Sequence, residues 1–166
     1  MATAEKILLG YGVVSVGASP IGLTRGGSAF TVEREIREIE ADGDYGPVKG
    51  RIVIDREVAS LTVNALELFD DTKLKTYYPA MDVTTRTLKS TLAILAADHA
   101  DVTWVGKTMD GDTVTITVED AINMGNVEWT LEDKNEVVPE LVFTATYDEA
   151  TRTTPPWSVV FATPVG

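Results

Sequence analysis

Two long runs of alternating apolar and polar residues, Ala29 to Glu40 and Arg51 to Phe69, flank the loop Ala41-Asp42-Gly43-Asp44-Tyr45-Gly46-Pro47-Val48-Lys49-Gly50, and this pair limits what the rest of the chain can do. In the first run Phe30, Val32 and Ile36 share a face, with Thr31, Glu33, Glu35 and Arg37 opposite. In the second, Ile52, Ile54 and Val58 fall on one side and Arg51, Val53, Asp55 and Glu57 on the other, while Arg34 and Arg56 interrupt the apolar sides. A period of two is the pattern of a half-buried strand, so the pair reads as a hairpin. The second run is about three times the common strand length, and a bend or bulge is expected near Ala59-Ser60 or Ala65-Leu66, where the alternation changes phase. Such a hairpin outreaches the core of one small domain. Its far end needs another surface, which points to self-assembly.

The remaining segments are short and rich in turn residues. Gly10 to Ala18 reads as a strand whose glycines permit a bulge or close backbone approach, and Ser19 to Gly27 as a loop entering the hairpin. Asp70-Asp71-Thr72 can cap a short helix that runs to Tyr77 or Tyr78 and stops at Pro79. Arg86 to Ala97 fits either periodicity, and the threonines at 84, 85, 87 and 91 favour a strand, followed by a helical turn over Ala96 to Ala100. Val102 to Met109 and Thr113 to Glu119 form a hairpin through Asp110-Gly111-Asp112. A turn at Gly125-Asn126 leads into Val127 to Leu131, Glu132 to Glu136 is a solvated loop, and Leu141 to Tyr147 and Trp157 to Ala162 are the last strands. Many short strands with few helices predict a mainly β sandwich or barrel, one domain over residues 1–166, with no repeat or linker to divide it.

Composition narrows the function classes. The chain has 166 residues, no cysteine, and a net charge of −12 from 26 acidic against 14 basic residues, the opposite sign from a protein that grips nucleic acid by its phosphates. Without cysteines there are no disulfides or thiolate metal sites. The apolar run in Met1 to Leu9 is too short for a signal peptide and no stretch approaches the ~20 apolar residues of a membrane span, so the expectation is a soluble protein made in the cytosol.

Motifs for chemistry are incomplete. Gly106-Lys107-Thr108 matches the end of a phosphate-binding loop, but Asp101 stands where its first glycine belongs. Asp42-Gly43-Asp44 resembles the opening of a calcium loop, yet Val53 occupies the position of the closing glutamate. The lone His99 has no second histidine or cysteine for zinc and no nucleophile elbow, and Trp104, Trp129 and Trp157 read as core or interface anchors before a sugar platform. No catalytic, cofactor or metal residue is assigned.

Taken over nearly its whole length, the chain resembles the major tail tube proteins of long-tailed (siphovirus-type) bacteriophages. The resemblance is carried by the Gly-Tyr-Gly-Val-Val strand at Gly10 to Val14, by Phe30 to Gly43, and by Gly46-Pro47-Val48-Lys49-Gly50 leading into Leu61 to Leu68. It continues through Val102 to Gly106, Asp112 to Ile116, Leu131 to Glu136, Leu141 to Asp148 and Pro156-Trp157. It implies two packed antiparallel sheets with a short flanking helix and a long protruding hairpin loop, in a non-enzymatic virion subunit without cofactors. Such subunits form hexameric rings that stack, beside other tail proteins, into the tube through which duplex DNA passes without specific binding during ejection. The loop Ala41 to Gly50 would join neighbouring subunits, and Glu33, Glu35, Asp55 and Glu57, taken as the polar face of the hairpin, are the candidates to line a lumen that repels phosphates. The alternatives are another tail or secretion-tube component such as a terminator, a free-standing acidic β-sandwich that binds a ligand such as a carbohydrate, and a hydrolase using two carboxylates.

Overall fold

The computed structural model describes residues 7–162. Its elements are β1 (Leu8–Val16), β2 (Ser19–Pro20), β3 (Thr24–Glu38), β4 (Ile52–Ala65), α1 (Asp71–Tyr77), β5 (Met81–Thr84), β6 (Thr87–Ser90), β7 (Ala100–Thr108), β8 (Thr113–Asn123), β9 (Glu140–Thr144) and β10 (Trp157–Ala162), with 3₁₀ turns at Ala96–Asp98 and Glu149–Thr151. The main sheet runs β2-β1-β7-β8-β9-β4-β3 with β10 beside β8, and β5 and β6 form a separate small sheet. The expected mainly β architecture is present, with one short helix and a long hairpin.

One strand joins the two halves. Thr113 to Val118 of β8 pair with β7 on one side and β10 on the other, whereas Ile122 and Asn123 at its end pair with Thr144 and Phe143 of β9. The change happens at a bulge: the register moves from Val102↔Val118 to Ala100↔Ala121, and Asp120 takes a left-handed φ of +47°. The Asp120 N–H donates to Asp101 Oδ1 at 3.0 Å and its carbonyl accepts from Thr146 Oγ1 at 2.7 Å. The two layers then bury a common core, with Val14, Val16, Val102, Trp104 and Val118 from one and Ala59, Leu61, Val63, Leu141 and Phe143 from the other.

The helix is tied to this core by polar atoms. Tyr77 and Tyr78 are buried, and the Tyr77 hydroxyl donates to the Ile21 carbonyl at 3.1 Å. Buried Asn123 donates from Nδ2 to the Tyr77 carbonyl at 2.9 Å, which satisfies an acceptor that a helix end leaves open, while its Oδ1 accepts from the Gly125 N–H at 3.0 Å. Burial, reinforced by Glu67 and Asp70, pushes the Tyr77 hydroxyl up to about 12.

Several sequence expectations shift. The bulge expected near Ala59-Ser60 or Ala65-Leu66 lies at Asp55, which is left over between Glu35↔Arg56 and Ile36↔Ile54. Pairing of Ser60 to Asn64 with β9 holds β4 straight there, so the bend falls where that support ends. Val58 consequently points away from Ile54 and not with it. The hairpin also begins earlier, at Thr24, through an irregularity containing Gly26 and Gly27, both at positive φ. Of Arg86 to Ala97 only Thr87–Ser90 is strand, paired with β5 across Thr85 and Arg86 at φ +51° and +58°. Val127 to Leu131 is irregular, because Trp129 returns to donate its indole N–H to the Tyr78 hydroxyl at 3.0 Å. β9 ends at Thr144 and not Tyr147, and β8 runs on to Asn123.

Two predictions follow from these ties. Replacing Asp120 by valine forces a β-branched residue into the left-handed region and should cost about 1–3 kcal/mol, whereas glycine there should stay within about 1 kcal/mol of the parent; urea midpoints compare them. The second concerns alkaline pH. Unfolded tyrosine ionises near 10 and folded Tyr77 near 12, so the folded state retains the proton longer. Its contribution is complete below about pH 10 and is lost as pH rises through about 12. Tyr77→Phe should flatten that alkaline loss while lowering stability at neutral pH by roughly 1–3 kcal/mol, because the Ile21 carbonyl loses its donor.

Candidate assembly surface

The β3–β4 hairpin leaves the body of the protein as an arm. β9 pairs with β4 only over Ser60–Asn64, so among the described residues Glu33 to Glu38 and Ile52 to Val58 have no strand partner but each other. Ile36, Ile39, Ile52 and Ile54 are each about half exposed on it. The loop Ala41 to Gly50 at its tip is organised from within. Asp44 accepts from the Ala41 N–H at 2.9 Å and from Arg51 at 2.7 Å, Arg51 N–H donates to the Val48 carbonyl at 3.1 Å, and Gly43 and Gly50 make the turns at φ +93° and +87°. Asp42, Gly46, Pro47 and Lys49 are exposed, and Tyr45 is fully so.

The four carboxylates assigned to one polar face do not share it. Cross-strand partners lie on one face, and Glu33 and Glu35 stand opposite Val58 and Arg56, whereas Glu57 stands opposite Arg34 on the other side. The bulge at Asp55 shifts the alternation between them. Glu33 and Glu35 are exposed, with Glu35 3.9 Å from Arg56, and Asp55 binds Arg37 at 2.9 Å, which raises the Arg37 pKa by its hydrogen bond and its charge. Glu57 is a structural anchor: its side chain is 14% exposed, it sits 3.3 Å from Arg34, and it accepts the Trp157 indole N–H at 2.7 Å. Its backbone carbonyl accepts from the Tyr147 hydroxyl at 2.9 Å.

The incomplete motifs find structural roles. Gly106 and Gly12 pair across β7 and β1, and a Cβ on either would overlap the indole ring of Trp104. The Gly-Lys-Thr fragment therefore lies on a strand, its glycine making room for a core ring. Thr108 bonds to Asp110 within the Asp-Gly turn, and Gly111 adopts φ +94°. The His99 N–H closes the 3₁₀ turn on the Ala96 carbonyl at 3.3 Å. Trp104 is core, Trp157 packs on Phe30 at 5.8 Å, and Trp129 meets Phe69 edge-on at 5.2 Å, so the three indoles form no common platform. Among the described residues no group of three or more His, Asp or Glu is placed to hold a metal, and no helix is long and apolar enough to cross a membrane.

A cleft of about 820 Å³ between α1, the β5–β6 hairpin and the Trp129 segment was not foreseeable from alternation. Phe69, Leu74, Val83, Leu88 and Trp129 line it with one residue of each charge, Asp70 and Arg86.

Glu57→Ala leaves the Trp157 N–H without its acceptor, while Arg34, half exposed, stays solvated, and should cost about 1–3 kcal/mol. Glu57→Gln keeps an acceptor for the indole and should cost less than half as much, while alanine at exposed Glu33 should stay within about 0.5 kcal/mol. Thermal or urea unfolding of the three variants checks that order.

No family model and no curated protein matches the sequence. Solved structures do match the fold. A chain in the virion of a native gene transfer agent particle superposes with a TM-score of 0.51 at 9% identity, covering 92% of this chain and 95% of that one. A chain of the sheath–tube complex of an extracellular contractile injection system (PVC), in the extended state, gives 0.52 at 12% identity over 94% and 90%. A chain of the anti-feeding prophage cap, which terminates the tube of that particle, gives 0.57 at 10% identity over 98% and 95%. The chain shares its fold with components of these three particles.

Proposed function

We propose that this chain is a structural subunit of a tail tube, one domain over its 166 residues, that assembles into hexameric rings stacked as the DNA conduit of a long-tailed phage-like particle. The observation that carries the reading is end-to-end likeness of fold to components of three such particles, at 90% or more of both chains in each case. The exposed arm supports it independently, since a hairpin whose Ile36, Ile39, Ile52 and Ile54 are about half exposed among the described residues gains by meeting a neighbour. The absence of any common tryptophan platform removes the support for a carbohydrate module. A second reading, a ring that ends a tube, is favoured by the likeness to the anti-feeding prophage cap.

Negative-stain microscopy separates them. The purified chain should form rings that stack into tubes of open-ended length; single unstacked rings would favour the terminating role, and a monomer at every concentration would overturn both. Deleting Asp44 to Val48 should leave the sheets folded, because no core residue lies there, and abolish stacking. Unaltered tubes from that deletion would remove the loop from the contact.

With a net charge of −12, assembled tubes should show no binding to duplex DNA at physiological salt. Glu33→Lys with Glu35→Lys turns an exposed face that already carries Arg37 and Arg56 basic. If that face lines the lumen, salt-dependent DNA binding appears; if it lies between subunits, assembly fails. Normal tubes that ignore DNA would place the pair on the outer wall.

A further inference from the structure

Separate parts of the chain meet at the cleft beside α1, and each brings a different group. The link from β4 to α1 supplies Phe69 and Asp70, the turn of the β5–β6 hairpin supplies Arg86, and the loop after β8 supplies Trp129. The aromatic wall is fixed. Trp129 donates its indole N–H to the Tyr78 hydroxyl at 3.0 Å and meets the Phe69 ring edge-on at 5.2 Å, so its one donor is already used and the ring offers carbon alone. Val83 and Leu88, cross-strand partners in the hairpin, add aliphatic surface. Phe69 itself remains 69% exposed, a large apolar side chain left in water beside the cleft it lines.

The charged groups are one of each sign. Asp70 accepts the Lys73 N–H on Oδ1 at 3.4 Å, which sets it at the start of α1, and a carboxylate has acceptor sites to spare beyond one such bond. Arg86 holds φ +58° in the hairpin turn, is exposed, and has no carboxylate partner among the described residues. The volume of about 820 Å³ lies within the range of about 300–1,000 Å³ usual for small-molecule sites, which join apolar surface to a few convergent polar groups. The pair of charges narrows the class. A simple anion gains Arg86 and meets repulsion from Asp70, a simple cation does the reverse, and a ligand carrying both signs satisfies both.

We propose that this cleft binds a small aromatic zwitterion, of the aromatic amino acid or dipeptide class, with its ring against Phe69 and Trp129, its ammonium group toward Asp70 and its carboxylate toward Arg86. The ring takes Phe69 out of water, and the guanidinium grips the carboxylate through two parallel N–H donors. The cleft shares no lining residue with the arm, so the site stands whether or not the chain builds a tube.

Isothermal titration of the purified chain with four related ligands tests this: phenylalanine, glycylphenylalanine, 3-phenylpropionate, which lacks the ammonium, and phenethylamine, which lacks the carboxylate. At least one zwitterion should bind about tenfold more tightly than either single-charge analogue. Phenylalanine ahead of glycylphenylalanine assigns the site to a free amino acid, and the reverse order to a peptide. Arg86→Gln should weaken the preferred zwitterion about tenfold and leave phenethylamine unchanged. Phe69→Ala should weaken every ligand that binds, and because that ring is exposed the variant should keep the parent's circular dichroism. Lys107→Gln, on β7, should change nothing. No binding of either zwitterion at millimolar concentration, equal affinity for all four ligands, or a zwitterion whose affinity survives Arg86→Gln overturns the proposal. So does tight binding of 3-phenylpropionate alone, since the cleft would then read a ring and a carboxylate without the ammonium.

Discussion

One strand can serve two sheets only if its backbone turns partway along, and in this chain the turn is at Asp120. A left-handed residue with an extra position in the ladder rotates the end of β8 from β7 to β9. Aspartate tolerates that conformation better than most residues, and the Asp101 carboxylate takes up the N–H that the bulge removes from the ladder. Much else depends on this corner. It sets the two apolar faces against each other, and it carries Asn123 to the end of α1, where the amide joins the Tyr77 carbonyl to the Gly125 N–H just past β8.

The same geometry explains why the hairpin becomes an arm. β9 is only five residues long and pairs with β4 near its end. Support for β4 therefore ends at Ser60, and within a few residues the bulge at Asp55 shifts the register of the hairpin. The base of the arm is braced by Glu57, which gathers Arg34, Trp157 and Tyr147 from separate parts of the chain. Such an ion pair is worth little by itself when exposed. Glu57 itself is only 14% exposed and takes the indole as a second donor, so its loss leaves the Trp157 N–H without an acceptor.

Charge on the arm is met by charge: Arg34, Arg37, Arg51 and Arg56 stand beside Glu57, Asp55, Asp44 and Glu35. Exposed pairs of this kind add little to stability one by one, and opposite charges facing each other across two strands favour the register that brings them together.

What the sequence determined by itself was local: the period-two runs of β3 and β4, the Asp-Gly turn between β7 and β8, the helix stopped by Pro79, and β10 from Trp157 to Ala162. Each follows from sterics or alternation within a few residues, and the poverty of catalytic motifs was equally legible. Tertiary structure decided the rest. Whether Val58 sides with Ile54 depended on a bulge placed by the reach of β9, a strand some eighty residues later in the chain. Glu57 looked like any exposed carboxylate until Trp157 and Arg34 were brought to it, and Val127 to Leu131 gave up a strand because Trp129 had a partner in Tyr78. Alternation reports that a residue has two sides; only the long-range pairing of strands decides which side each neighbour will fill.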